Sequence, residues 1–323
     1  MNSSEHTTKS PIKAIQPPEL MQAVRLVKAE GPAGLVYEQI PTPQPKAGEV
    51  LVRVHAAAIT RDELDWPVSR LPAIPSYEFS GVVVILGEGV EGLTVGEEVY
   101  GLSPFDRDGA AAEYALVPKE VLAPKPSNLD HIHSASIPLA ALTAWQGLFD
   151  HGHLSSSQRV LIHGATGGVG HFAVQLARWC GATVLGSVSA GNVEAAHTLG
   201  LDEVIEVPAT RFEDVVDPVD LVFDTAGGER LARSAAVVRP GGRLVSVASE
   251  PPQEQAAARG IQAEYFVVEP NGRQLLQLTV LAEAGLLRPH VAEVFPLAQA
   301  RQAFERSLTV HWMGKIVLRI VEE

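Results

Sequence analysis

Apolar and polar residues alternate in short runs over residues 21–124, and turn residues separate the runs. Within residues 49–57, Val50, Val52 and Val54 share one face, which predicts a half-buried strand. Similar runs predict strands over residues 22–27, 79–86, 97–100 and 111–117. Because Gly and Pro punctuate these runs, we expect an antiparallel, partly barrel-like β unit in this part of the chain.

The pattern changes after about residue 127, where apolar runs alternate with longer segments of helical character. Predicted strands cover residues 159–163, 183–187, 203–206, 221–224, 243–247 and 262–267. Predicted helices cover residues 134–149, 169–180, 192–199 and 229–238. Strands that alternate with crossover helices are typical of a parallel, doubly wound sheet. Beyond this sheet the pattern predicts helices over residues 272–284 and 297–307 and a last strand over residues 315–321.

A glycine-rich loop lies where the first of these strands meets its helix. It meets the dinucleotide-binding pattern G-x-G-x-x-G with alanine in the first position, as Ala165, Thr166, Gly167, Gly168, Val169 and Gly170. Small residues let the backbone turn sharply and approach a pyrophosphate, and the helix N-terminus behind them favours an anion. Because strand, loop and helix follow in the required order, these six residues are predicted to bind a dinucleotide.

The end of the second parallel strand discriminates between the two nicotinamide dinucleotides. NAD sites usually have an acidic residue about 20 residues past the loop, where it binds the ribose 2′-hydroxyl. No Asp or Glu occurs within residues 171–193, and Ser189 and Asn192 occupy this slot instead. The missing carboxylate favours NADPH, although no Lys or Arg occurs within residues 179–210 to bind its 2′-phosphate. That cation, if present, must come from elsewhere in the chain.

Composition and charge narrow the possible partners. The 323 residues have a formal net charge of −13, which disfavours a nucleic-acid partner because phosphate neutralisation needs a basic surface. No apolar run has the length of a membrane span, so no membrane partner is expected. The single cysteine, Cys180, forms no internal disulfide and fits a reducing, cytoplasmic location. Residues 1–20 are polar, do not form a secretory signal and are predicted to be a flexible tail.

Seven segments lie in order along almost the whole chain. They are GEVLVRVHAAAI (48–59), FSGVV (79–83), ASIPLAALTAWQGL (135–148), VLIHGATGGVG (160–170), FDTAGG (223–228), RPGGRLVSV (239–247) and GKIVLRI (314–320). Together they resemble the medium-chain dehydrogenase/reductase superfamily, specifically its zinc-free quinone oxidoreductase-like branch. The resemblance implies an α/β protein with a GroES-like β-barrel catalytic domain over residues 21–133 and 268–323. A doubly wound Rossmann dinucleotide-binding domain over residues 134–267 is then inserted between these two parts.

Zinc-containing members of this superfamily hold a catalytic metal on a Cys, a His and a Cys or acidic residue. The resemblance places Thr60, Tyr77 and Leu139 at these positions, and these side chains cannot replace the zinc ligands. The His-x-His pairs within residues 131–133 and 151–153 have no cluster of acids or Cys beside them, so we expect solvated loop histidines there. The sequence therefore predicts no metal.

A site without metal favours some acceptors over others. It has no Lewis acid to turn an alcohol into an alkoxide, whereas quinones and enones delocalise the charge that hydride transfer creates. We therefore expect an NADPH-dependent enzyme that transfers hydride to a quinone or an α,β-unsaturated carbonyl (enone or enal). The alternatives are an NADPH-dependent reductase of simple ketones or aldehydes, and a non-catalytic NADPH-binding protein.

Four candidate residues lie near the expected acceptor. By family position Tyr77 should point into the cleft beside the nicotinamide, where its phenol could donate a hydrogen bond or proton; the alternative is a ring that only fills space. Asp62 could orient a water, but residues 60–63 also fit a capping box, and this interpretation is favoured. Thr60 and Trp66 are expected to line the substrate pocket.

The resemblance also implies cofactor contacts outside the loop and a homodimer. Thr143 corresponds to a position that contacts the nicotinamide carboxamide, unless its hydroxyl bonds its own helix. Gly314 and Lys315 resemble a family segment near the cofactor, although Lys315 would also fit a plain surface charge. The strand over residues 262–267 has an alternating pattern, and relatives pair such edge strands across a two-fold axis.

Overall fold

The computed structural model describes residues 16–67, 70–309 and 313–321, so most of the predicted tail lies outside the described residues. The described strands are β1 (Leu20–Leu26), β2 (Leu35–Pro41), β3 (Glu49–Ile59), β4 (Glu78–Leu86), β5 (Glu98–Leu102), β6 (Tyr114–Pro118), β7 (Leu122–Pro124), β8 (Arg159–His163), β9 (Thr183–Ser189), β10 (Glu203–Val207), β11 (Val219–Asp224), β12 (Val238–Ser246), β13 (Gln262–Tyr265), β14 (Val291–Pro296) and β15 (Lys315–Arg319). The described α-helices are α1 (His131–Ala135), α2 (Pro138–Trp145), α3 (Gly170–Cys180), α4 (Val193–Leu199), α5 (Gly228–Ser234), α6 (Gln253–Ala258), α7 (Gly272–Glu283) and α8 (Ala300–Thr309). None of these helices is both long and apolar enough to span a bilayer.

One sheet contains six parallel strands in the order β10-β9-β8-β11-β12-β13. All six strands lie inside the range 134–267 predicted for the Rossmann domain. The chain builds outward from β8 first to one side and then to the other, so the strand order reverses beside β8. Ligands of such sheets bind at the carboxyl ends of the strands at this reversal, which is where the glycine loop follows β8.

The second sheet belongs to the catalytic domain and contains strands from both ends of the chain. Its order is β14-β15-β3-β4-β5-β7, with β6 paired to β3, while β1 and β2 form a separate antiparallel ribbon. β15 pairs antiparallel with β3, so that Val317 lies opposite Ala58. The C-terminal strand therefore returns to the first domain, which the resemblance implied and the hydrophobic pattern alone did not assign.

The helix predicted over residues 134–149 is divided into three parts. Pro138 has no N–H to donate and restricts the residue before it, so α1 ends at Ala135 and α2 begins at Pro138. Beyond Trp145 the turns widen into a π-helix, Gln146–His151. Gly147 lies in this π-helix against the ring of Phe223, where a Cβ would overlap the ring. This close packing joins the helix to the centre of the parallel sheet.

The hydrophobic pattern does not predict β2, β7, β14 or α6. β2 begins with three consecutive apolar residues, Leu35, Val36 and Tyr37, so it lacks the alternation of apolar and polar residues that predicts a half-buried strand. The side chains of Val36 and Tyr37 are exposed. β14 is half-buried along most of its length, and among the described strands it pairs with β15 alone, in parallel. Such strands are defined by their partners more than by their own sequence.

β13 is the last strand on one side of the parallel sheet and is shorter than predicted. Tyr265 in this strand and Val267 just beyond it are exposed. An open strand edge with exposed apolar side chains is a surface on which a second chain can pair. The homodimer stays a prediction.

Candidate active site

Backbone hydrogen bonds hold the glycine loop against the parallel sheet. Gly164 has a φ of +73°, a conformation that favours glycine, and it starts the turn. The N–H groups of Gly164 and Ala165 both donate to the carbonyl of Ser187 in β9, over 3.1 and 3.2 Å. Gly167 donates back to the carbonyl of Gly164 over 2.9 Å. The loop thus enters α3 with Val169 at its N-cap, the geometry that a diphosphate needs.

Two glycines of the loop allow contacts that a side chain would block. A Cβ on Gly170 would overlap the carbonyl oxygen of Gly164, so α3 can start this close to the strand only with glycine here. A Cβ on Gly168 would lie 3.0 Å from Cδ of Lys315 in β15. At Gly167 a Cβ would meet only the carbonyl of Gly164, at 3.2 Å, so the surroundings of this residue are open. The loop therefore provides a cradle of the kind that accepts a dinucleotide.

His171 connects the loop to the catalytic domain. The carbonyl of Gly167 can only accept, so Nδ1 of His171 donates to it over 2.9 Å, and Nε2 accepts the N–H of His290 over 3.4 Å. Burial lowers the pKa of His171 to about 4, which keeps the ring neutral in this tautomer. Gly314, with a φ of +85°, adds a second connection by donating its N–H to the carbonyl of Thr166 over 3.3 Å.

The predicted ribose slot lies at the end of β9. Ser189 is exposed there, and its Oγ accepts a hydrogen bond from Nδ2 of Asn192 over 3.0 Å. The register of β9 and β10 puts Ser189 opposite Val207. Arg211 follows β10 and is paired with Glu213, with Nη2 2.9 Å from Oε1. If this arginine bound a 2′-phosphate, it would have to leave or share that ion pair.

A buried lysine lies beside the loop, and its carboxylate partner Glu78 accepts a hydrogen bond from the nucleotide-binding part of the chain. Lys315 is only 6% exposed, and its Nζ lies 2.7 Å from Oε1 of Glu78 and donates to Oγ1 of Thr60 over 3.0 Å. Glu78 is fully buried, and its Oε2 accepts the N–H of Leu139 over 2.9 Å. Oε1 has no aligned hydrogen bond, so its contact with the ammonium is an ion pair alone. Lys315 is therefore not the plain surface charge that the sequence also allowed.

Glu63 places a second carboxyl group beside this lysine. Its Oε2 accepts the N–H of Thr60 over 3.0 Å, and its Oε1 accepts the N–H of Ser76 over 2.9 Å. Burial raises the pKa of Glu63 to about 8, against the lowering effects of these two N–H donors and of Lys315. At neutral pH the protonated form of Glu63 therefore predominates, and Lys315 is paired with Glu78.

The capping box favoured for residues 60–63 is only half formed. Glu63 reaches back to the N–H of Thr60 as expected, but the Thr60 hydroxyl binds Lys315 instead of capping the short 3₁₀-helix. Asp62 is exposed, and its carboxylate makes no hydrogen bond to the described residues. The carboxyl that lies beside Thr60 and Lys315 is thus that of Glu63 and not that of Asp62.

Tyr77 lies among aromatic rings just before β4. Its ring centroid is 6.2 Å from that of Trp66, in a stacked arrangement, and 5.1 Å from that of Phe105, edge to face. The residue before it, Ser76, has a φ of +64°, which is strained for a side chain with a Cβ and is held by the bond to Glu63. Burial raises the pKa of Tyr77 to about 12, and among the described residues its hydroxyl has no hydrogen-bond partner. The phenol is therefore a protonated donor.

Thr143 adopts the alternative that the sequence left open. Its hydroxyl donates to the carbonyl of Leu139, one turn earlier in α2, over 2.6 Å. Sequence reasoning gave no role to Glu78, Phe105 or His171, and it gave Glu63 a role only in the capping box. A signal for Glu78 was present, because it directly follows Tyr77 in a segment that was already aligned with the zinc site of relatives.

The contacts of Thr60, Tyr77 and Leu139 show what these three positions offer to a metal. Thr60 is bonded to Lys315, Tyr77 packs among aromatic rings, and the Leu139 side chain has no ligating atom. In residues 16–67, 70–309 and 313–321, no group of three or more His, Cys, Asp or Glu is arranged to hold an ion. These residues do not fit the catalytic zinc of relatives.

The prediction that the His-x-His residues are solvated loop histidines is wrong for His131. This residue begins α1, is buried, and has its Nδ1 2.8 Å from Oγ of Ser80, because the helix packs on the catalytic sheet. His133 is half-buried and bonds Asp130, the N-cap of α1. In the second pair, His151 stacks on a phenylalanine ring at 4.2 Å between centroids.

Comparison with known proteins identifies the family. Residues 46–127 match the family model of the alcohol dehydrogenase GroES-like domain, and residues 199–318 match that of a zinc-binding dehydrogenase. "Probable zinc-binding oxidoreductase, mitochondrial" from Arthroderma benhamiae is 32% identical to this chain, over 92% of the chain and 97% of its own length. The chain belongs to the medium-chain dehydrogenase/reductase superfamily, in its quinone oxidoreductase-like branch.

Two further members of the superfamily are similar over most of their length. "NADPH-dependent alkenal/one oxidoreductase, chloroplastic" from Arabidopsis thaliana is 33% identical, over 86% of this chain and 74% of its own. The structure of the quinone oxidoreductase from Coxiella burnetii matches with a TM-score of 0.88 at 30% identity, covering 94% of this chain and 100% of that chain. These matches confirm the predicted combination of a GroES-like and a Rossmann domain. They also support an oxidoreductase with a nicotinamide cofactor.

The glycine loop can be tested by charge. The space around Gly167 is open, so the side chain of Gly167→Asp fits there, but its negative charge would repel a bound diphosphate. We expect the affinity for NADPH, measured by quenching of its fluorescence, to fall at least about 100-fold. Gly167→Asn is the matched control, since it has the same shape without the charge, and it should retain more affinity. An Asp variant that binds as tightly as the wild type would show that the cofactor is bound elsewhere.

The buried carboxyl of Glu63 predicts a pH dependence of stability. Because its pKa is about 8 in the folded protein and near 4.5 when unfolded, the folded state holds an extra proton between these values. The contribution of Glu63 to stability should therefore fall as the pH rises from about 5 to about 8, by up to about 1.4 kcal/mol per pH unit. The measurement is the free energy of unfolding in urea of the wild type minus that of Glu63→Gln.

The exposed Glu91 provides the control for this measurement, since Glu91→Gln should give a difference that does not change over the same pH range. A wild-type minus Glu63→Gln difference that is flat or that rises with pH would contradict the assignment of a raised pKa to Glu63.

Proposed function

We propose that the protein is a metal-independent, NADPH-dependent reductase that transfers hydride to a quinone or an α,β-unsaturated carbonyl. One observation carries this proposal: Thr60, Tyr77 and Leu139 stand at the positions of the zinc ligands of relatives. Thr60 is itself bonded to Lys315. This set does not fit zinc, so the usual Lewis acid for an alkoxide is not available from these residues. Conjugated acceptors need less electrostatic stabilisation from the protein, because the negative charge that hydride transfer creates is delocalised onto their own oxygen atoms.

The residues around the loop fit NADPH, which supplies a hydride from its dihydronicotinamide when bound. The loop from Ala165 to Gly170 presents the free end of α3 to a diphosphate. Ser189 and Asn192 present a hydroxyl and an amide at the ribose slot, without a carboxylate that would repel a 2′-phosphate. The preference for NADPH over NADH rests on this slot.

The aromatic residues around Tyr77 suit a flat, conjugated acceptor. Trp66, Tyr77 and Phe105 form an aromatic cluster whose hydrogen-bond donors are the Tyr77 phenol and the indole N–H of Trp66. An enone or quinone can pack on such rings while one of its oxygen atoms accepts a hydrogen bond. The names of the alkenal/one and quinone oxidoreductases among the relatives support the same class of acceptor.

The test is NADPH oxidation by the purified protein with a panel of quinones, enones, enals, simple ketones and aldehydes. We expect turnover of the conjugated acceptors, little turnover of saturated ketones and aldehydes, and lower activity with NADH. Chelators should leave the activity unchanged, and elemental analysis of the active protein should show no stoichiometric zinc. Activity lost to a chelator and restored by zinc would contradict metal independence, and activity confined to simple ketones or aldehydes would contradict the acceptor class.

The role of the Tyr77 phenol can be separated from that of its ring. Tyr77→Phe keeps the aromatic packing and removes one donor, so enone turnover should fall about ten- to a thousand-fold. A quinone spreads its charge over two oxygens, so its turnover should fall less. Tyr37→Phe, which alters an exposed tyrosine in β2, is the matched control and should have no effect. Equal enone turnover in Tyr77→Phe and wild type would show that Tyr77 only fills space.

A further inference from the structure

The hydroxyl of Thr60 has a defined direction because of the groups around it. The backbone N–H of Thr60 donates to Glu63, and its carbonyl accepts the N–H of Glu63 over 3.2 Å. The hydroxyl oxygen accepts from Nζ of Lys315 over 3.0 Å. An ammonium has three donors and no lone pair, so the hydroxyl hydrogen cannot point toward Lys315. Among the described residues no acceptor takes this hydrogen, and Thr60 is only half-buried.

Lys315 is fixed in this orientation from three sides. Its Nζ lies 2.7 Å from Oε1 of Glu78 and donates to Oγ1 of Thr60 over 3.0 Å, and its own backbone N–H donates to the carbonyl of His290 over 3.0 Å. Glu78 is in turn held by the N–H of Leu139. A buried, immobilised cation behind a hydroxyl polarises that hydroxyl and makes it a stronger donor.

We propose that Thr60 is a catalytic hydrogen-bond donor to the carbonyl oxygen of the acceptor, and that Lys315, held by Glu78, is the positioning residue that orients and polarises it. The inference rests on the proposed enone reduction. In zinc-containing relatives a metal ion stabilises the negative charge of the substrate oxygen. The inference assigns this task to Lys315, which acts through the hydroxyl of Thr60. Tyr77 and Thr60 are then separate donors.

The step balances without a further reactant. The β-carbon of the enone receives a hydride, with two electrons, from NADPH, which is oxidised to NADP⁺. The electron pair of the C=C bond moves to form an enolate, whose oxygen accepts the hydrogen bond from Thr60. A proton from water then adds to the α-carbon and completes the saturated ketone. Thr60 keeps its proton throughout, so the chain returns to its starting state.

The main test compares Thr60→Val, which has nearly the same shape without the hydroxyl, with Thr60→Ser, which keeps it. We expect Thr60→Val to lower kcat for cyclohexenone about ten- to a thousand-fold, and Thr60→Ser to stay within about threefold of wild type. The effect on benzoquinone should be smaller. Thr198→Val, at an exposed site in α4, is the matched control and should not change turnover. The NADPH affinity of each variant is measured by fluorescence, so that lost cofactor is not mistaken for a lost donor.

Lys315 is tested by its coupling to Thr60. Lys315→Met should lower enone kcat in the same direction as Thr60→Val. Because the lysine acts through the hydroxyl, adding Lys315→Met to Thr60→Val should lower kcat by no more than about threefold further. If the loss of kcat in the double variant equals the product of the losses in the two single variants, the positioning role of Lys315 is overturned.

A second readout does not depend on turnover. The probe is para-nitrophenol, whose phenolate mimics the charged oxygen of the enolate and whose absorbance reports the fraction that is ionised. The wild type should favour the bound phenolate, and Thr60→Val should shift the ionisation equilibrium about tenfold toward the phenol, while Thr60→Ser should not. An unchanged equilibrium in Thr60→Val would overturn the inference.

The outcomes separate this inference from the proposed function. If the wild type reduces neither enones nor quinones, the proposed function fails and the inference fails with it. If the wild type reduces enones and Thr60→Val does so equally well, the inference alone fails. If only Tyr77→Phe loses enone turnover, the phenol is the donor and the role of Thr60 is refuted.

Discussion

The buried ion pair between Glu78 and Lys315 is the interaction on which the rest of the site depends. Removing two charges from water is costly, and the cost is offset only when both partners are held close and their other polar atoms are bonded. The pair is accordingly attached to four parts of the fold: β4 carries Glu78, β15 carries Lys315, Thr60 follows β3, and the N–H of Leu139 lies in α2. The pair therefore joins β3, β4 and β15 of the catalytic sheet to α2.

The neighbouring titratable groups are consistent with one net cation–anion pair at this boundary. Burial raises the pKa of Glu63 and lowers that of His171, so each is held in its neutral form. A neutral Glu63 leaves the ammonium with one carboxylate partner, and a neutral His171 can accept from His290 while donating to the loop. Beside the glycine loop the charged pair is therefore Lys315 and Glu78, while Glu63 and His171 form hydrogen bonds in their neutral forms. In this account the chain's own cation takes over the electrostatic task of a metal.

Local patterns predicted most of the strands and the turn that the glycine loop forms between β8 and α3, whereas β2, β7, β14 and α6 were not predicted and the return of β15 to the first domain was implied only by the family resemblance. Regular alternation located β3, and the order of strand, small residues and helix located the loop. The polar cluster could not be predicted in the same way, since Lys315 and Thr60 are 255 residues apart and their contact depends on β15 returning to β3. The sequence offers Asp62 as a candidate site residue, whereas the buried carboxyl is that of Glu63. A 3₁₀-helix of three residues is too short for its sequence pattern to show which side chain is buried.

The most direct test of this account is a double-mutant cycle on the ion pair, measured as free energies of unfolding. Glu78→Gln and Lys315→Met should each destabilise the protein by about 3–5 kcal/mol, because each leaves the other charge buried without its partner. The double variant should be at least about 2 kcal/mol more stable than the sum of the two losses implies. Losses that add to within about 0.5 kcal/mol would show that the two residues act independently and would contradict the account.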